Sequence, residues 1–278
     1  MKDATMPWVV KVGGDELVPG PALGQLALWV ARQVRHGRPV VLVHGGGDEV
    51  TARATALGIP TVKRDGLRVT TDAVLEIVAE VLAGRVNVRL TNALEGAGVP
   101  AVGLTGLSAR MLLVKPGGSP PGSLGWVGEP RLVHTRLLTK LLEEGLTPVV
   151  APLGSDGAGG VFNVNADLVA TALAGALQAR ALLVTDVDAV HAADGRSRAE
   201  LSVADVRRMI ADGVATDGMV PKLTAALRGL ADGAAGVWIG ALGALADDGP
   251  LPGAGTWVGP APSMPGMIAH PPRTLGEA

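Results

Sequence analysis

Two kinds of apolar pattern alternate along this chain. Short runs with almost no polar interruption stand between longer segments whose apolar residues recur every three or four positions. The runs Trp8–Val12, Val40–Val43, Pro100–Leu104, Thr147–Ala151, Ala181–Asp186 and Gly236–Gly240 predict strands covered on both faces, and Gly255–Val258 predicts a last one. Leu23, Leu26, Ala27, Val30 and Val34 mark one face of a helix over Pro21–His36, with Pro21 in its opening turn. Asp48–Leu57 reads as a second helix. A long helix starts at Asp72: Val74, Ile77, Val78, Val81 and Leu82 form its apolar face, which Val86, Leu90 and Leu94 continue past Gly84. Gly84 is then a kink or a close-packing point. Leu132–Glu144, Leu168–Leu177, Val203–Ala211 and Leu223–Ala231 complete the expected helices. Strands alternating with helices predict an α/β fold on a parallel sheet with right-handed crossovers.

Between these elements, Lys63–Thr70 reads as a polar loop and Asp156–Gly160 as a flexible tip. Arg110–Val114 and Leu124–Val127 read as hairpin arms around Pro116–Gly122. Residues 259–278 are proline-rich and aperiodic, which predicts a disordered tail.

Composition narrows the function. The chain has 278 residues, 47% of them apolar and 18% charged, enough to fill a large core. A net charge of −2 with scattered Lys and Arg offers no basic stripe for nucleic acid. The absence of cysteine removes disulfides, thiol catalysis and thiolate metal sites. Met1–Pro7 lacks a signal-peptide core, and no apolar run approaches the ~18 residues of a membrane span. A soluble, cytoplasmic protein is expected, with no membrane or nucleic-acid partner.

The candidate chemistry gathers where strands end. Lys11 interrupts the first apolar run just before Gly13 and Gly14, and His44 ends the second before Gly45, Gly46 and Gly47. Such turns let backbone N–H groups approach an anion at a helix N-terminus. Asp186 ends a later strand. Asn163-Val164-Asn165-Ala166-Asp167 and Asp217-Gly218-Met219-Val220-Pro221-Lys222 precede or enter helices. In a parallel sheet these ends share one edge and can converge. Two lysines, glycine N–H groups and a central aspartate, with no nucleophile, suit phosphoryl transfer, which needs charge neutralisation and alignment. The plainer roles are a solvated lysine at a strand edge, Asp167 as the cap of the next helix, asparagines as turn formers and His44 as a packed histidine.

Lys11-Val12-Gly13-Gly14, His44-Gly45-Gly46-Gly47, Gly66-Leu67-Arg68-Val69-Thr70, Asn163–Asp167 and Gly218–Lys222 occur in an order that resembles the amino acid kinase family. The likeness covers roughly residues 7–258. The third and fourth blocks resemble its acetylglutamate-phosphorylating members. This resemblance implies an αβα sandwich in three layers on an open, mostly parallel sheet. Residues 1–177 would form an N-lobe for the amino acid and 178–258 a C-lobe for the nucleotide. It implies ATP-dependent phosphorylation of the side-chain carboxylate of N-acetyl-L-glutamate, a step of arginine synthesis.

By the same resemblance, Lys11 and Lys222 flank the transferring phosphoryl group, Gly14 and Gly46 donate N–H bonds to it, and Asp167 positions the lysines. Arg68 and Asn163, with Gly45 and Gly46, would hold the amino-acid substrate. Asp186, Gly218 and Met219, with both lysines, would hold the nucleotide. Magnesium would ride on the ATP phosphates, with no protein metal ligand assigned. A homodimer through the long helix is implied, insensitive to arginine because the first strand leaves no room for an additional N-terminal helix. Three departures stand out: Asp217 replaces a glycine, the turn Val187–Val190 lacks one, and Leu107–Arg110 lacks the glycine-rich, aspartate-bearing pattern. The rival readings are a kinase for carrier-linked α-aminoadipate and a non-catalytic ligand-binding module of the same fold.

Overall fold

The computed structural model describes residues 6–260 other than Asp65, Thr216 and Asp217. The expectations placed on Asp217 and on a tail beyond Pro260 lie outside these residues.

The chain builds β1 (Trp8–Val12), α1 (Pro21–Arg35), β2 (Val40–His44) and α2 (Gly47–Ala56) in immediate succession. A small hairpin follows, β3 (Lys63–Arg64) against β4 (Leu67–Arg68), where the sequence predicted only a polar loop. The long helix then runs as α3 (Asp72–Ala79), a π-helical stretch Glu80–Val86, and α4 (Asn87–Gly96). Thr71 caps its start by accepting from the Val74 N–H. Gly84 lies in the π stretch with open space where a Cβ would stand, so it is not a close-packing point.

Next come β5 (Ala101–Thr105), β6 (Leu112–Pro116), β7 (Val127–Val133), α5 (Arg136–Glu143), β8 (Thr147–Ala151), β9 (Leu153–Ser155) and β10 (Val161–Val164). The final part adds α6 (Ala166–Ala176), β11 (Arg180–Val184), β12 (Glu200–Leu201), α7 (Val203–Ala211), α8 (Met219–Ala231) and β13 (Gly236–Gly240). A short pair, β14 (Leu245–Ala246) and β15 (Gly249–Pro250), precedes β16 (Thr256–Val258).

Eight strands form one sheet in the order β12-β16-β13-β11-β1-β2-β8-β5. All neighbours are parallel except β13 and β16. The period-two alternation of each strand divides the core in two. Val10, Val12, Leu42, Val149, Leu182 and Trp238 face α1, α2 and the long helix. Val9, Val41, Val43, Val150, Leu183 and Ile239 face α5, α6, α7 and α8. Both faces are therefore covered, and the molecule is a three-layer αβα sandwich.

Four further strands close on themselves as β10-β7-β6-β9, a small barrel that the sequence did not predict. The expected hairpin is there, but its second arm begins at Val127 and runs to Val133, taking Leu132 and Val133 away from the predicted helix. Asp156 fixes the tip between β9 and β10 by accepting from the Ala158 and Gly160 N–H groups at 2.7 and 2.9 Å. In the glycine-poor turn after β5, Ala109 and Arg110 take positive φ of 50° and 56°, a conformation that glycine adopts without strain.

Candidate active site

Lys11 has the parity of Val9, so its side chain leaves β1 on the α6 side of the sheet. There its ammonium lies 3.1 Å from Asp167 Oδ1. Lys222, one turn into α8, reaches the other oxygen, Asp167 Oδ2, at 3.3 Å. The two helices approach closely because small residues face each other: a Cβ on Gly229 would stand 2.6 Å from Thr171 Cβ, and one on Gly175 only 2.8 Å from Asp232 Cβ. Asp167 is not the cap of α6. Asn165 takes that role, accepting from the N–H groups of Asp167 and Leu168 at 2.8 and 3.2 Å, which leaves the aspartate for the lysines.

The charges follow from burial and proximity. Burial opposes ionisation of Asp167, but the two ammonium groups outweigh it and hold the carboxyl below its usual range. Burial pushes Lys222 down; the carboxylates of Asp167 and the more distant Asp186 oppose this, while Lys11 adds to it. Two cations on one carboxylate leave a net positive charge facing the cavity. An arriving anion meets that charge in a partly dehydrated setting, where it acts strongly.

The glycine turns lie beside these lysines because β1 and β2 pair in register, Val12 opposite His44. The Gly45 N–H donates to the Val12 carbonyl at 2.7 Å and draws the two turns together. Gly14 has φ of 61° and Gly46 of 138°, and a Cβ on Gly46 would stand 2.7 Å from Leu82 Cδ2 of the π stretch. Only glycine fits there. Gly14, Gly45, Gly46, Lys11, Asn163 and Asp167 line one cavity of about 260 Å³, together with Arg68.

Arg68 is buried, and burial lowers its pKa against the pull of Asp48. Its Nη2 donates to the Gly47 carbonyl at 2.7 Å and to Thr51 Oγ1 at 2.8 Å. Its Nη1 is buried with no hydrogen-bond partner among the described residues. Asn163 donates from Nδ2 to Thr70 Oγ1 at 3.2 Å, and Thr70 Oγ1 donates to the Arg68 carbonyl at 2.9 Å. The barrel thus presents Asn163 and the β3–β4 hairpin presents Arg68 to the same cavity. No three histidines or acids gather as a metal cage among the described residues.

The remaining candidates lie farther out. Asp186 is exposed at the end of β11 and accepts from Thr185 Oγ1 at 2.9 Å. Gly218 lines a larger adjoining cavity of about 560 Å³, with Gly66, Gly117, Pro221 and Arg228. Met219 is half-buried and packs against the core beneath α8.

Residues 6–240 match the amino acid kinase family. The chain belongs to the amino acid kinase family. Among its relatives, an acetylglutamate kinase of Chloroflexus aurantiacus is 42% identical over 87% of this chain and 94% of its own length. One of Oleidesulfovibrio alaskensis is 41% identical over 81% and 80%. One of Rubrobacter xylanophilus is 47% identical over 78% and 82%. In structure, the N-acetylglutamate synthase of Neisseria gonorrhoeae, complexed with coenzyme A and N-acetyl-glutamate, aligns with a TM-score of 0.79 at 26% identity, over 93% of this chain. This chain spans 60% of that synthase chain. A carbamate kinase of Giardia lamblia shares the fold alone, at a TM-score of 0.66 and 16% identity.

Sequence reasoning missed two residues that brace the candidate site. Asn87 Nδ2 lies 3.1 Å from His44 Nε2 directly beneath the second glycine turn. Arg89 grips both oxygens of Glu49 at 2.7 and 2.9 Å and also donates to the Leu17 carbonyl at 2.8 Å, tying both glycine turns to α4. The available signal was weak: both sit two residues apart on a helix read only for its apolar face.

Proposed function

We propose that this protein transfers the γ-phosphoryl group of ATP to the side-chain carboxylate of N-acetyl-L-glutamate, giving an acyl phosphate. The observation that carries this reading is the pair of lysines, one from a strand and one from a distant helix, on a single buried aspartate beside two glycine turns. The acetylglutamate kinase relatives, similar over most of the chain, favour this acceptor over a carrier-linked α-aminoadipate. Residues 1–177 would hold the amino acid and 178–258 the nucleotide.

In this reading the acceptor carboxylate attacks unaided, because it is already ionised near neutral pH and needs no base. The Lys11 and Lys222 ammonium groups offset the charge spread over the phosphoryl oxygens, and the Gly14 and Gly46 N–H groups donate to the same oxygens. Asp167 keeps the lysines in place. The unpaired Nη1 of Arg68 meets the substrate's α-carboxylate, and Asn163 orients the acetylated amino acid. Asp186, Gly218 and Met219 would serve the nucleotide, and Gly218 lines the larger cavity. Magnesium bound to the ATP phosphates would neutralise part of their charge, which calls for no all-protein cage.

The test is hydroxylamine trapping with ATP, magnesium and N-acetylglutamate, beside a free-glutamate control. Hydroxamate with the acetylated substrate alone supports the assignment; ATP binding without hydroxamate moves it to the carrier-linked acceptor, and no ATP binding favours a silent module. A cytoplasmic homodimer through the outer face of the long helix belongs to the same reading. Val88, 64% exposed there, is an apolar side chain suited to such a contact. Light scattering giving a monomer mass would overturn the dimer.

A further inference from the structure

His44 is fully buried at the end of β2, and its ring touches polar groups on both sides. On one side Nδ1 lies 2.9 Å from the Gly45 carbonyl oxygen. A carbonyl only accepts, so Nδ1 carries the proton. On the other side Nε2 faces Asn87 Nδ2 at 3.1 Å. The same Asn87 nitrogen lies 2.9 Å from the Val149 carbonyl and 3.4 Å from that of Leu104, two acceptors that orient the amide with its NH₂ toward them. Its two hydrogens go to the two shorter contacts, Val149 and Nε2. Asn87 therefore donates to Nε2, and the ring is held as the neutral Nδ1–H tautomer.

The consequence lies in the Gly45–Gly46 peptide group. A trans peptide is planar, and its C=O and N–H point in opposite directions. The ring that holds the Gly45 carbonyl from beneath thereby aims the Gly46 N–H the other way, and Gly46 lines the cavity with Lys11 and Asp167. A hydrogen bond to the carbonyl also polarises the amide and strengthens its N–H as a donor.

We propose that Asn87 and His44 are positioning residues that fix and polarise the Gly45–Gly46 amide, so that its N–H meets the transferring phosphoryl group in the right direction. This inference rests on the phosphotransferase reading given above. The π stretch Glu80–Val86 is part of the device. It places Leu82 and Val86 against Gly46 and delivers Asn87 to the ring one residue later. π turns inside longer helices are frequent at functional sites. Burial lowers the His44 pKa from 6.5 to about 4, so the ring stays neutral at the pH where the enzyme would work.

The test uses the full chain. Histidine-selective 15N labelling at pH 7, with the His44 signals identified by their loss in H44N, should show a neutral ring protonated at Nδ1. An Nε2-protonated ring in the wild type overturns the proposal. In steady-state trapping of the acyl phosphate, N87A and H44L should each lose at least about tenfold in kcat, a fraction of the ~100-fold or more that one lost oxyanion donor costs. KM for ATP and for N-acetylglutamate should stay within about threefold.

His44→Asn keeps an N–H donor at the position of Nδ1 and should recover kcat to within about threefold of wild type. Packing alone would not separate H44N from H44L, so equal losses in the two overturn the proposal, as does an N87A variant with unchanged kcat. Should N87A not fold, the wild-type tautomer and the H44N–H44L comparison still decide. Absence of acyl phosphate from the wild type would sink the phosphotransferase reading, whereas the ring's tautomer would still report on the amide.

Discussion

A carboxylate enclosed by two ammonium groups resists both protonation and removal. Asp167 is 7% exposed at its side chain, and Lys11 and Lys222 only 12% and 16%. Taking the aspartate away leaves two like charges close together with little water to screen them. D167N is therefore expected to lose about 3 kcal/mol of stability and, with its lysines displaced, at least ~100-fold in kcat. Urea unfolding and hydroxamate trapping check the two effects separately. His44 gives a pH signature of its own. Its pKa falls from 6.5 to about 4 on folding, chiefly through burial. The unfolded chain takes up this proton as pH drops below 6.5, while the folded chain does so only near 4. Stability is thus full above 6.5 and declines between 6.5 and 4, by about 3 kcal/mol from this group. Urea midpoints at stepped pH should show that decline, and H44N should flatten it. Lys11 was legible by itself, because a charge inside an apolar run needs a reason, while Lys222 and Asp167 were legible only through the motif blocks that contain them. Asn87 was not, since an asparagine on a helix carries no pattern until the strand it meets is known.

At the scale of elements, the parallel strands were the most legible part. β1, β2, β8, β11 and β13 are apolar at nearly every position, which only a sheet covered on both faces demands. The small barrel was opaque for the opposite reason. β7 mixes Gly128, Glu129, Pro130 and Arg131 with apolar residues, so no period emerges, and its pairing with β10 depends on residues far away in sequence. The contact between α6 and α8 decides the site, because Asp167 rides on one helix and Lys222 on the other. A methyl on Gly229 would press on Thr171, 2.6 Å away at Cβ and 3.1 Å at the carbonyl oxygen. G229A is expected to destabilise the fold by about 1–3 kcal/mol. It should also lower kcat more than it raises either KM, since a shift of Lys222 weakens charge neutralisation during transfer. Thermal unfolding and steady-state kinetics on one preparation test both; a G229A variant with wild-type stability would refute the close approach of the helices.

For the whole molecule, the strand order sets the result. β1 sits at the middle of the sheet with β2 on one side and β11 on the other, and the chain's crossovers diverge from it to opposite edges. A crevice opens at the carboxyl ends of strands where such a divergence occurs. Lys11, Gly14, Gly46 and Asp186 all lie at that edge, while the barrel and the β3–β4 hairpin wall one side of it with Asn163 and Arg68. An amino acid held there bridges elements far apart in the chain and binds only the folded form. At a free concentration about 100 times its Kd, such a ligand stabilises the fold by ~2.7 kcal/mol. For a chain of this size that is a rise in Tm of about 5 °C. N-Acetylglutamate should produce this rise in the wild type, and free glutamate should not, because its ammonium, on the same carbon as the α-carboxylate, would face the Arg68 guanidinium in a cavity of about 260 Å³. Arg68→Ala should abolish the shift while leaving that caused by an ATP analogue. If R68A kept the full acetylglutamate shift, the amino acid would have to bind elsewhere, and the crevice would be a nucleotide site only.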